Sequence, residues 1–327
     1  MNRIGRAKIL HWLASNSMAP LLLAIALCFA GPACLAGAAQ AELKQARLNA
    51  GYYFNSISDI PNRTDIEISL NYWLKDMFDK EAEKHNFHIL PSHAFIFERM
   101  EDMRLAFDRG ELDMIVAPPL LISRYFKRPE LSDGFFAVLD GNQEESLLLI
   151  VNAEKNIQDI KDLPGKRLAM IKTDDLAEIF LDRQVLDSMH KRYKDIGLSI
   201  LYPNNLNQII LDLYFDKADA GIVYRSSYSL MAELNPAVAE KVKILGEYPV
   251  KSKNFSFFRH GYPLLGEFNL VMHDFAKTER GRQILQVFKT NDIVQCPLEE
   301  LDGIEQYYRD YLRLRRQATA VRGRRKQ

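Results

Sequence analysis

The spacing of apolar positions changes period repeatedly along this chain. ARLNAGYYF (46–54) reads as a strand. In 64–85 apolar residues recur at Ile66, Leu70, Trp73, Leu74, Met77 and Phe78, which is a helical period. FHILPS reads as a strand, and FERMEDMRLAFDRGE (97–111) as a helix stopped by Gly110. LDMIVAPP (112–119) is an apolar run closed by a proline pair, and LLISRYFKR is a short helix. Strands and helices in alternation predict a mostly parallel sheet with helices on both faces. Residues 134–153 break this rhythm, with two apolar runs flanking a polar turn at Gly141. A second series follows: strand 167–171, helix 175–192, strand 198–203, helix 205–215, strand 219–224, helix 226–234 and strand 242–248. After NFSFFRHGY come helices near 264–277, 279–289 and 299–315. Two α/β series joined by long extended segments predict two lobes with a cleft between them.

Charge and cysteine usage narrow the setting. The first residues carry Arg3, Arg6 and Lys8, then an apolar run, then Ala39 and Ala41 at the −3 and −1 positions of a cleavage before Glu42. This is the three-part pattern of a secretory leader, 1–41, and the apolar part is too short for a membrane span. The expected location is the periplasm. Cys34 lacks the preceding large apolar residue of a lipid-attachment site, so lipid anchoring is not expected. The remaining chain exceeds what one core of ~100–180 residues supports, so two domains are expected. The formal charge of zero hides a split: the segment from Arg313 holds seven basic residues and no acidic ones. Residues 42–312 hold 33 basic against 43 acidic, a net of −10. An acidic body disfavours nucleic acid as a partner. Cys296 alone lies beyond the leader, so no intrachain disulfide is expected.

The order of segments resembles a known family. MEDMRLAFDRGELDMIVAPPLLI is similar to the helix, G-x-x-D turn and strand that end at the cleft of type II periplasmic binding proteins. IQDIKDLPGKRLAMI resembles their entry into the second lobe. The segment 206–249, with DA before a strand and then NP, and TERGRQILQVFKTNDIV near the end, continue the likeness. The chain resembles the phosphate/phosphite/phosphonate-binding (PhnD-like) branch of ABC transporter solute-binding proteins over 46–312. The resemblance implies a two-lobe type II fold with a double crossover hinge, a first lobe from 42–140 and 250–312, and a second lobe from 141–249. It also implies a monomer that encloses a small polar ligand and presents it to a membrane permease. A sensor protein with the same fold, signalling to a membrane histidine kinase or cyclase, is the alternative. The tail 313–327 is expected to lack order.

Ligands in open α/β sheets sit beyond the carboxyl ends of strands. That rule selects Tyr53 and Phe54, Pro118 and Leu120, the turn KTDD with Thr173, Asp174 and Asp175, and the run Tyr224, Arg225 and Ser226. Tyr53 and Phe54 suit stacking on a ligand or core packing. In the phosphonate-binding branch the turn at 172–175 is rich in Ser and Thr, which donate to an oxyanion at a helix start. Two aspartates oppose that ligand. They suit helix capping, or a carboxylate that pairs with an amine on the solute. Arg225 suits a bidentate clamp on a carboxylate, or a salt bridge to Asp174 or Asp175. The two charges together fit a zwitterion and an anion site altered from the family's. No G-x-S-x-G, H-E-x-x-H, phosphate loop or dinucleotide fingerprint is present. Catalysis, a metal and a cofactor are therefore not expected.

Overall fold

The computed structural model describes residues 44–54, 63–138, 145–250, 254–287 and 290–324. The leader, its cysteines and its cleavage point lie outside them. Two mixed sheets organise the chain. The first has the order β13-β6-β12-β5-β2-β4. It is built from β2 (Ala50–Tyr53), β4 (Ala94–Phe97), β5 (Met114–Ala117), β6 (Leu131–Val138), β12 (Phe255–Arg259) and β13 (Asp292–Cys296). The second has the order β11-β7-β10-β8-β9. Its strands are β7 (Glu145–Asn152), β8 (Arg167–Ala169), β9 (Ser199–Leu201), β10 (Ala220–Tyr224) and β11 (Val242–Val250). The remaining strands, β1 (Lys44–Ala46) and β3 (Phe87–Ile89), form a small parallel pair. The chain passes from the first sheet to the second after β6 and returns after β11, which is the double crossover. Each sheet is parallel through its β–α units and antiparallel where crossover strands enter.

In the first sheet α1 (Arg63–Lys84), α2 (Met100–Asp108) and α3 (Pro119–Tyr125) link the parallel strands, and α8 (Leu265–Phe275), α9 (Glu279–Val287) and α10 (Leu301–Arg324) follow the return crossing. In the second, α4 (Asp175–Met189), α5 (Leu206–Tyr214), α6 (Arg225–Leu234) and α7 (Pro236–Lys241) do the same. β7 is apolar along nearly its whole length and buried from Ser146 to Asn152, as a central strand must be. Gly110, at φ 74°, ends the turn after α2, a conformation that suits glycine. At Gly134 an added Cβ would lie 2.0 Å from the Ser256 carbonyl oxygen, so only glycine lets β6 and β12 pass at their register shift.

Three local expectations differ from the fold. Residues 46–54 are two strands, because Asn49 breaks them. Its N–H donates to the Asp113 carboxylate (2.8 Å), its side chain donates to the Glu111 carbonyl (3.0 Å), and its Oδ1 accepts from His93 N–H (3.2 Å). Phe97 ends β4 and α2 starts only at Met100, since Ala94–Phe97 pairs alongside β2. The tail beyond Leu312 continues α10 to Arg324. Leu314 and Ala318 rest on the first-sheet core, and the Arg, Leu, Gln and Ala of this stretch favour helix.

α4 joins the two sheets' cores. Ala177, Phe180, Leu181 and Val185 belong to the second-sheet core, whereas Ile179 and Leu186 pack with the first-sheet core and α10. Between these faces Asp182 is fully buried. It accepts from Arg192 Nε (2.5 Å), Tyr193 N–H (2.9 Å) and the Tyr311 hydroxyl of α10 (2.9 Å). Asp182→Ala is expected to lower unfolding stability by about 2–3 kcal/mol, because it strands the Arg192 charge and the Tyr311 hydroxyl. Tyr311→Phe should cost about 1 kcal/mol, since Asp182 keeps two donors. Urea unfolding of both variants measures this, and losses under about 0.5 kcal/mol for both would show that the network adds nothing.

Candidate functional site

The second sheet brings a set of charged residues to one edge. β8 and β10 run parallel and end there, while β7 begins there, antiparallel to β10. Tyr224 is paired with Leu147, and Val250 with Glu145, so Glu145, Tyr224 and the last residues of β11 share that edge. At the start of α4, Asp174 is the N-cap and accepts from the Ala177 N–H at 3.0 Å. It is only 5% exposed. Burial pushes its carboxyl up to about 6, against the opposing pull of the Ala177 N–H, the Tyr224 hydroxyl and the Leu176 N–H. Tyr224 is itself buried, and burial followed by the Asp174 charge holds its hydroxyl well above the usual range. Thr173 is exposed in the same turn.

At the start of α6 the pattern repeats with a different carboxylate. No side chain of the helix itself caps it. Instead Glu145 Oε1 accepts from the Ser226 N–H at 3.2 Å and from the Ser146 N–H at 2.9 Å. Arg225 forks onto Glu247, with Nη2–Oε2 at 2.5 Å and Nε–Oε1 at 3.2 Å. This hydrogen bond holds Glu247 below and Arg225 above their ordinary ranges. Arg225 thus pairs with neither Asp174 nor Asp175. Glu247 sits on β11, two strands from β10 in the same sheet, and takes the guanidinium on both of its oxygens.

The first sheet meets this edge through α3. Arg124 Nη1 lies 2.6 Å from Asp175 Oδ2, an ion pair between the lobes. Tyr53 is half-buried at the end of β2. Burial, then Asp175, then Glu101 push its hydroxyl up, which sets it beside that pair. Tyr125 donates to Glu101 Oε1 at 2.5 Å, and this bond lowers the Glu101 carboxyl. Phe54 packs with the opposite face of the sheet, as alternation along β2 requires, since Tyr53 belongs to the α2/α3 side. Pro118 is the N-cap of α3. Leu120 is 2% exposed in the core and positions α3, so it offers no surface to a solute. Tyr224 likewise backs Asp174 from within the core.

The structure therefore gathers Tyr53, Asp174 and Asp175 at the junction of the lobes, with Arg225 and Ser226 on the neighbouring edge. It adds Glu101, Arg124, Tyr125, Glu145 and Glu247, which strand-end reasoning missed. Glu145 and Glu247 lie in the crossover strands, whose pairing a single sequence does not disclose. Arg124 stands one helical turn past the proline pair. Among the described residues no group of His, Cys, Asp and Glu is placed to hold a metal ion, and no helix is long and apolar enough to cross a membrane.

A family model described as ABC transporter, phosphonate, periplasmic substrate-binding protein matches residues 90–295. The chain belongs to this family. Solved structures agree on the fold. A Xanthomonas citri protein bound to ATP shares 14% identity at a TM-score of 0.62, covering 83% of this chain and 98% of that one. A binding-protein component of an ABC phosphonate transporter from Pseudomonas aeruginosa shares 12% at 0.56, covering 83% and 88%. PhnD1 of Prochlorococcus marinus in complex with methylphosphonate shares 14% at 0.54, covering 81% and 97%. No curated protein matches the chain. The family is one of periplasmic solute-binding proteins, and its two-lobe type II fold is the fold seen here.

Asp174 makes stability depend on pH. Its carboxyl is raised in the folded chain to about 6, from an ordinary 3.8, so the folded state holds a proton that the unfolded state releases between those values. Its favourable contribution is complete below pH 4 and is lost as pH rises to about 6, a difference of about 3 kcal/mol. Asp174→Asn keeps an acceptor for the Ala177 N–H and removes this penalty. The variant should match the parent at pH 4 and exceed it at pH 7. Thermal melts from pH 4 to 7 that run parallel for the two proteins would show that Asp174 ionises without penalty.

Proposed function

We propose that this solute-binding protein takes a small polar ligand bearing a positive charge into the cleft between its lobes. It closes on the ligand by hinge motion and delivers it to an ABC-type permease. Residues 1–41 direct the chain to the periplasm and are removed before Glu42. One observation carries the choice of ligand: the two helix starts on the second-lobe edge already receive carboxylates of the chain, Asp174 on α4 and Glu145 on α6. A phosphonate would have to displace them and then face their charge, at the positions where N–H donors would otherwise hold it. Two nearby arginines do not offset this. Arg124 is engaged by Asp175 and Arg225 by Glu247. The anion site is therefore altered from the one that gives the family its name. Commitment of Arg225 to Glu247 also favours a cation over a zwitterion, because the proposed clamp for a ligand carboxylate is already filled. An ammonium or guanidinium would find Glu145 and Glu101 as acceptors, the buried Asp174 charge behind them and the ring of Tyr53 beside it.

A thermal-shift screen of residues 42–327 against amines, polyamines, guanidinium compounds, amino acids, dicarboxylates, phosphate and phosphonates tests this. A ligand at 100 times its Kd stabilises by about 2.7 kcal/mol, several degrees in Tm. Cationic solutes should raise Tm, and Asp174→Asn and Glu145→Gln should each remove most of the shift. A shift with phosphonates and none with cations would overturn the assignment. In that case the carboxylates act as caps that turn away on closure.

A further inference from the structure

The last turns of α10 carry charge of one sign. From Arg313 onward the sequence holds seven basic and no acidic residues, whereas residues 42–312 carry a net charge of −10. These turns are helical to Arg324. From Arg313 to that point they span about 18 Å. Along them Leu314 and Ala318, one turn apart, rest on the first-sheet core. Arg313, Arg315 and Arg316 are exposed. At about 100° per residue Arg315 and Arg316 stand away from the Leu314–Ala318 stripe, and Arg322 returns to the register of Arg315. The helix thus has one edge committed to the protein and a cationic outer arc. Like charges gathered within one short segment repel one another, and nothing in the packing of Leu314 or Ala318 requires them. The rest of the chain is net acidic, so this basic segment is the part that an anionic surface attracts most.

We propose that the outer arc of α10 docks on the headgroups of a bilayer containing anionic lipid. The contact is electrostatic and peripheral, because the apolar edge of the helix is already used against the core and is not free to insert. Such docking holds a solute-binding protein near the membrane in which an ABC permease resides, and it leaves the cleft residues untouched. It does not depend on which solute the cleft takes.

Co-sedimentation of residues 42–327 with vesicles tests the proposal, using pure phosphatidylcholine and the same lipid with one third phosphatidylglycerol. At 0.1 M salt the protein should partition at least about 100-fold more strongly onto the anionic vesicles, and 0.5 M salt should release it. Each basic residue near the surface contributes about fivefold, so R315Q/R316Q/R322Q/R324Q should weaken partitioning by 100-fold or more. That variant should melt at the parent temperature, since Arg315 and Arg316 are exposed and glutamine keeps helix propensity at all four positions, and a normal melt shows that lost partitioning is not unfolding. Equal partitioning onto both vesicles, or no loss in the fourfold variant, would overturn the proposal. Salt-sensitive self-association of the parent without vesicle binding would overturn it too, by showing that the arc pairs with the acidic body of another copy.

Discussion

α4 is claimed by two cores at once, and much of the rest follows from that. Its Ala177, Phe180, Leu181 and Val185 complete the second-sheet core, while Ile179 and Leu186 fill the first-sheet side against α10. A helix held on two flanks has little freedom to rotate or slide, because either motion opens a void in a close-packed interior. Its first turn is therefore fixed, and with it Asp174 and Asp175. Asp174 is driven under the Tyr224 hydroxyl, and Asp175 is aimed at Arg124 of the other lobe. The site inherits its geometry from packing several turns away.

The ligand proposed for this edge rests on electrostatics. A helix start attracts negative charge whether it comes from a ligand or from the chain. Here the chain supplies it twice, from within the helix turn by Asp174 and from a crossover strand by Glu145. Two arginines that would restore an anion site are each held in an ion pair 2.5–2.6 Å long. Both pairs are partly exposed, so neither contributes much to stability. In the proposed function their effect is on specificity, since a ligand carboxylate or phosphonate would have to compete with a partner already in place. Specificity by an unfavourable element is as effective as specificity by a favourable one.

Much of the fold was legible because the change between helical and extended periods is coarse and repeated. The segments 167–171, 219–224 and 242–248 coincide with strands, and the late helices begin within a few residues of their expected positions. What escaped were features set by side chains from distant segments. Asn49 splits the first strand by binding Glu111, Asp113 and His93, and no local pattern announces that. The same holds at the cleft. The strand-end rule leads to the α4 turn with Asp174 and Asp175 because β–α turns are local, whether or not these residues touch a ligand, but Glu145 and Glu247 arrive through antiparallel crossover strands whose register spans the chain. Leu120 was misplaced for a related reason: a residue that follows a strand end is directed inward when the helix it begins has its apolar face toward the core. The helical tail escaped because composition alone treats a basic stretch as solvated, whereas Leu314 and Ala318 give it a packed edge.

The network at Asp182 also limits how the lobes can move. Opening that pulled α4 off α10 would leave a fully buried carboxylate without the Tyr311 hydroxyl and would expose Ile179 and Leu186. Losing such contacts costs several kcal/mol, comparable to the binding energy of a modest ligand. A solute that had to restore that contact on closing would spend its affinity there. The hinge motion proposed above would cost least if it pivoted about the α4–α10 contact and changed the separation at Arg124 and Asp175, because parting a solvated ion pair costs little. In the proposed closing motion the buried network would be the axis and the exposed Arg124–Asp175 pair the latch, because only the second separates without uncovering core residues.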